Sequence, residues 1–224
     1  LDPREAVRRE ARRVAVERLD DAIEQIDAMM AGSADVETAV HDVRKRCKET
    51  RGLARLVRRA LGDEFRPFDR IVRDAAGQLS AMRDAHALLA TLDNLLQAHD
   101  LDDRLRSVRD HQAALAAEAT SALEAGDERI VAARELLIEA RSNSRQWKIR
   151  GGFDPIAEGL TATYRRGRRA MRTAQRDDTD ENMHEWRKSA KHLWYQMRLL
   201  RESSPSMIGP LIDDAAFAKV QRHV

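Results

Sequence analysis

The chain has little of what pins or punctuates most folds. Its 224 residues hold one cysteine, Cys47, which excludes an internal disulfide and a cysteine-built zinc cage and fits a reducing compartment such as the cytoplasm. Aromatic residues make up only 4%, too few for the alternating aromatic and β-branched pattern of sandwiches and barrels. Ten glycines and five prolines leave few breaks, and no run approaches the roughly 18 apolar residues of a membrane span. The opening stretch LDPREAVRRE lacks the apolar core of a signal peptide, so no export and no membrane partner are expected. What is present is 42% hydrophobic and 35% charged residues, rich in Ala, Leu, Arg, Glu and Asp, and this composition favours helices.

Formal charge nearly cancels, 40 basic residues against 38 acidic, but the charges are not mixed. Residues 41–59, 161–176 and 184–201 together carry a net +16 in 53 residues, which leaves −14 on the other 171. An acidic body holding three basic segments points to a polyanion partner. Arginine supplies 34 of the 40 cations, and its planar fork matches two oxygens of a phosphate better than the point charge of lysine.

Apolar residues recur at spacings of three and four, as in Val7, Val14, Leu19, Ile23 and Ile26. The pattern predicts seven helices, over residues 4–30, 34–61, 64–98, 101–141 with a break near Gly126, 154–176, 179–203 and 206 to the end. The fold class expected is all-α, in two helical bundles related by an internal pseudo-twofold duplication. The first bundle covers 1–141, the turn-rich stretch 142–153 is the junction, and 154–224 forms a second bundle that lacks a complete final helix. The duplication rests on an offset of 143, which lays His41, Arg44, Lys45, Lys48, Arg55 and Arg58 on His184, Arg187, Lys188, Lys191, Arg198 and Arg201.

At 100° per residue His41, Arg44, Lys48, Arg51 and Arg55 share an arc of about 80°, opposite Val43, Cys47, Ala54 and Val57. His184, Arg187, Lys191 and Arg198 form the matching stripe, backed by Trp186, Leu193, Met197 and Leu200. Like charges at these spacings repel along the helix, a cost that a bound anion removes.

The segments VHDVRKRCKETR (40–51) and MHEWRKSAK (183–191) resemble the two histidine helices of the CHAD family, the conserved histidine α-helical domain. The segment SAMRDAHALL (80–89) looks like that family's Arg-Asp segment, with His86 where an acid is common, and YRRGRRAMR (164–172) like the basic helix that opens its second half. The resemblance implies non-catalytic binding of inorganic polyphosphate on a basic surface between two bundles, with residence in the cytoplasm and at polyphosphate granules. Carried over residue by residue, the binding set is His41, Arg44, Lys45, Lys48, Arg51 and Arg55, facing His184, Arg187, Lys188, Lys191 and Arg198. Arg165, Arg168, Arg169 and Arg172 join it, and a second tier comprises Arg8, Arg9, Arg12, Arg13, Arg83 and Tyr164. Trp194 stands where the first half has Arg51, so the halves contribute unequally.

No catalytic residue, cofactor or metal is expected. The dipeptide His41-Asp42 invites comparison with metal phosphohydrolases, yet no histidine precedes it, and Arg44 and Lys48 beside it repel a cation. His86, His99, His111 and His192 read as surface or packing residues. Two other readings stay open: a helical nucleic-acid binder, disfavoured by the acidic body and the scarcity of stacking aromatics, and an accessory domain of a phosphate-processing enzyme.

Overall fold

A computed structural model describes residues 7–98, 103–124, 127–150 and 152–201. Among them there are helices and turns and no strand. The helices are α1 (Val7–Met30), α2 (Val36–Leu56), α3 (Arg58–Leu61), α4 (Phe65–Gln78), α5 (Ser80–Ala98), α6 (Asp103–Glu124), α7 (Glu128–Arg145), α8 (Asp154–Arg176) and α9 (Asp180–Arg201), with a 3-10 turn at Gly62–Glu64. The all-α expectation holds, and α8 spans the range its pattern predicts.

Two expected helices are each two, and a third divides between Glu124 and Glu128, at its expected break near Gly126. The one expected over 34–61 stops at Leu56, and the one residue outside helix, Val57, stands beside the point where α8 meets the Leu56 carbonyl at Gly159. The one expected over 64–98 breaks at Leu79, where the Ser80 hydroxyl donates to the Gly77 carbonyl at 2.5 Å and competes with the helix ladder. The third, 101–141, ends as α6 at Glu124 and resumes as α7 at Glu128, where Asp127 binds the backbone N–H and the guanidinium of Arg129. The helix expected from 206 onward lies outside the described residues.

Contacts divide the chain into two compact units that interleave along the sequence. One is Leu1–Arg18, Lys48–Asp69 and Arg141–Val224, and the other is Leu19–Cys47 and Arg70–Ala140. This cut by contact differs from the expected cut by chain order, because α1 and α2 each contribute to both units.

The unit holding Lys48–Asp69 is built on α8 packed along α9, with α3 against α8. Its core includes Leu53, Leu56, Phe65, Phe68, Trp147, Ile156 and Leu200, with the Phe68 and Trp147 rings edge to face at 4.9 Å. Two close crossings set its geometry. A Cβ on Gly159 would stand 1.8 Å from the Leu56 carbonyl oxygen, so only glycine lets α8 pass α2 there, and a Cβ on Gly52 would meet the Cβ of Tyr195 at 3.1 Å. Gly62, at φ +55°, turns the chain out of α3.

In the other unit Leu19, Ile23, Ile26, Val40, Val43, Val72, Leu79, Ile130 and Leu137 are buried together with Cys47. The α5 and α6 pair is joined by Arg109 to Asp93 at 2.9 Å and by the Gln112 amide donating to the Ala85 carbonyl. Among the described residues no helix is long and apolar enough to cross a membrane.

Candidate functional site

The basic segments that the sequence scatters are gathered, for the most part, in one unit. Lys48, Arg51 and Arg55 come from α2, Arg165, Arg166, Arg168, Arg169 and Arg172 from α8, and His184, Arg187, Lys188, Lys191 and Arg198 from α9. The apolar residues behind each stripe dictate this placement. Leu53, Ala54 and Leu56 on α2 and Met197, Leu199 and Leu200 on α9 are buried, which turns the cations away from the core.

Between α2, α3, α8 and α9 lies a cavity of about 350 Å³. Arg55, Arg58, Arg59 and Arg166 line it, with Glu158, Ser189 and His192. Each arginine is held by a defined partner. Arg55 pairs with Asp69 at 2.9 Å and donates to the Arg51 carbonyl at 3.2 Å, Arg58 lies 4.8 Å over the Phe65 ring, Arg59 meets Glu158 at 3.1 Å, and Arg166 reaches Glu185 at 3.5 Å. A guanidinium has five N–H donors, so these contacts fix each group and leave donors for an incoming anion.

The electrostatics are those of crowded cations. Burial lowers the pKa of Arg55 to about 10, an effect that Arg51, Arg166 and Arg58 add to and Asp69 opposes, and Arg55 still carries its proton at neutral pH. His192 is pushed down to about 3, first by burial and then by Arg55, Arg51 and Arg166, so it is a neutral imidazole under ordinary conditions. Asp69 is half-buried, which alone would raise it, but the hydrogen bond from Arg51 and the charges of Arg55 and Arg51 hold its carboxyl below the usual range. It accepts two bonds from Arg51, at 2.9 and 3.1 Å.

On the outer side of α8, Arg165, Arg168, Arg169 and Arg172 are exposed, and Arg169, Arg172 and Arg176 surround an open hollow. Tyr164 is 51% exposed beside them in sequence. On α9, His184 and Arg187 are exposed, and Lys188 pairs with Glu185 at 2.7 Å, which together with that bond holds the Glu185 carboxyl low. Lys191 is half-buried. Arg198 lies 4.7 Å over the Trp194 ring and 3.8 Å from the buried carboxylate of Glu49, which Arg18 also approaches at 3.2 Å.

The second tier divides. Arg8 and Arg9 are exposed, Arg12 donates to the Trp147 carbonyl at 2.8 Å as a structural tie, and Arg13 is bound to Glu10 and Glu17. In the other unit His41 is exposed, Lys45 is half-buried, and Arg44 donates to the Ala76 carbonyl at 2.6 Å. The Arg83 side chain lies outside the described residues. His86 bonds the Thr120 hydroxyl at 2.9 Å and faces Glu37 at 3.2 Å, a packing role.

Sequence reasoning missed Arg58, Arg59, Arg166 and His192 as cavity residues. The signal for Arg166 was present: Gly159, Ala162, Thr163 and Arg166 fall on one helical face, small residues leading to a cation. Nothing local marks Asp69 or Glu158, because their arginines lie on other helices.

Among the described residues, helices without strands, with cations concentrated on three of them, define an all-α domain carrying a polycationic face. The family model for the CHAD domain matches residues 4–222, and the chain belongs to that family. No curated protein and no solved structure matches it.

Proposed function

We propose that this CHAD domain binds inorganic polyphosphate through its basic helices and does not cleave it, acting in the cytoplasm and at polyphosphate granules. The observation that carries the reading is the convergence, in one compact unit, of the basic segments of α2, α8 and α9 around a cavity with four arginines in its wall. Polyphosphate presents a row of charged phosphates on a flexible chain, and cations fixed on rigid helices replace its counterions together. The 143-residue offset, taken as an internal duplication, makes His41, Arg44 and Lys45 the sequence counterparts of His184, Arg187 and Lys188, and cations of the same kind for a polyanion.

The chemistry supports binding over turnover. Magnesium-assisted phosphoryl transfer needs carboxylates turned toward the phosphates, whereas Glu158 is held by Arg59 and Asp69 by Arg51 and Arg55. Duplex nucleic acid is the second reading, since arginines directed at phosphate do not by themselves separate the two polyanions. A rigid duplex cannot place its backbone in a cavity of this size, while a single flexible chain can.

The test is titration with long-chain polyphosphate at two salt concentrations. Replacing Arg44, Lys48 and Arg55 by Ala, or Arg187, Lys191 and Arg198 by Ala, is expected to weaken binding and to flatten the dependence of log affinity on log salt. Unchanged affinity in both triple variants overturns the assignment.

A further inference from the structure

We infer that the cavity walled by Arg55, Arg58, Arg59 and Arg166 seats the terminal phosphate of a linear polyphosphate, so that the domain distinguishes chain ends from chain interiors. This rests on the polyphosphate reading above and specifies which part of the ligand enters which part of the protein.

The first argument is shape. At about 350 Å³ the cavity sits at the small end of ligand pockets, room for a compact group and not for a long run of chain. Gly159 lines it at the point where α8 and the Leu56 backbone are in contact, so that side is closed to a chain passing through.

The second is charge density. Four guanidiniums line the wall against the carboxylate of Glu158, and because Arg55 shares Asp69 with Arg51 and Arg166 shares Glu185 with Lys188, the wall keeps a positive excess. An interior phosphate has two free oxygens and one charge, whereas a terminal one has three free oxygens and a second ionisation near pH 6, as in a phosphate monoester. The wall favours the group that carries more charge on more acceptors.

The third is the kind of donor present. Arg58 is steadied by the Phe65 ring and Arg59 by Glu158, so both forks are oriented before a ligand arrives. Ser189, buried on α9, adds a hydroxyl, and His192 adds a neutral ring that Arg51, Arg55 and Asp69 face from α2 and α4 and Arg166 from α8. A dianionic phosphate beside that ring stabilises its protonated form, so filling the cavity draws a proton toward His192.

On α8, Arg165, Arg168 and Arg172 are turned away from the face that lines the cavity and Arg169 borders it, and all four are exposed to follow the interior of the chain. Arg55 belongs both to the α2 stripe and to the cavity wall, and it is where end and interior meet.

The experiment compares linear tripolyphosphate with cyclic tetrametaphosphate, which match in total charge near neutral pH but differ in that the ring has no end. Isothermal titration of the full chain is expected to give the linear compound at least about tenfold tighter binding, the factor that one charge-assisted hydrogen bond supplies. In the double variant Arg59→Gln, Arg166→Gln that ratio is expected to fall toward one, while long-chain polyphosphate still binds. Both side chains are more than half exposed, so the variant keeps its fold, which circular dichroism checks. Long-chain binding with equal affinity for linear and cyclic compounds overturns the end-seating inference and leaves the polyphosphate reading standing, and so does a ratio that survives the double variant. Failure of every polyphosphate to bind overturns both.

Discussion

His192 gives the sharpest link between the cavity and a measurable property of the whole fold. In the native chain its pKa is about 3 against an ordinary 6.5, because burial and the neighbouring arginines oppose its charge. The unfolded chain binds a proton there below about pH 6.5 and the native chain does not until about pH 3, so within that window acid favours unfolding. The contribution is complete above pH 6.5 and is lost as pH falls. Each pH unit inside the window costs about 1.4 kcal/mol, so moving from pH 7 to pH 5 removes about 2 kcal/mol from this group alone. The perturbation is His192→Gln, which keeps a neutral polar side chain and removes the titration. Urea unfolding of both proteins at pH 7 and pH 5 isolates the effect as a difference of differences, in which every other titrating group cancels. Wild type is expected to lose about 2 kcal/mol more than the variant between the two pH values, or about 4–8 °C in Tm for a chain of this size. A difference under about 0.5 kcal/mol, the ordinary limit of additivity, refutes the reasoning and with it the neutral, cation-crowded histidine.

Other outcomes follow from single contacts. Gly159→Ala places a Cβ 1.8 Å from the Leu56 carbonyl oxygen and forces α8 off α2, so stability is expected to drop by about 3 kcal/mol or more in thermal or urea unfolding, and a loss under about 1 kcal/mol contradicts the crossing. Asp69→Asn removes the carboxylate that binds both Arg51 and Arg55, with an expected loss of about 2–4 kcal/mol at pH 7. The same change releases two guanidiniums and is expected to tighten polyphosphate binding, so weaker binding in a folded variant counts against those arginines as ligands. His41→Gln with His184→Gln is expected to leave stability within about 0.5 kcal/mol at pH 7, since both side chains are exposed, and a larger loss contradicts their placement.

The helices were legible because their apolar periodicity is strong and their turns are chemically marked. Asp154 with Pro155 opens α8 and Asp180 opens α9, and both starts fall within one residue of expectation. The break near Gly126 was legible from its glycine, but the two other breaks inside long periodic stretches were not. Leu79 and Val57 look like any helical residue in sequence, and they are interrupted by a serine hydroxyl and by the passage of a distant glycine. The cationic stripes could be read from the angles between residues on one helix. The cavity could not, because it is made where Arg55 on α2, Arg58 and Arg59 on α3 and Arg166 on α8 meet, a fact of tertiary packing. The neutralising role of Asp69 was hidden for the same reason: it lies 18 residues beyond Arg51, on α4.

Basic helices that serve a thin flexible polyanion and not a duplex are distinguished from a nucleic-acid binder by competition between the two. Purified protein is given labelled long-chain polyphosphate, and duplex DNA of equal total phosphate is added at moderate salt, with phosphate release followed in parallel with and without magnesium. One flexible chain can occupy the cavity and the stripes together, so its second contact forms at high effective concentration. DNA is expected to leave the polyphosphate bound, with no phosphate released. Displacement at equal phosphate, or magnesium-dependent release by the pure protein, contradicts non-catalytic polyphosphate binding.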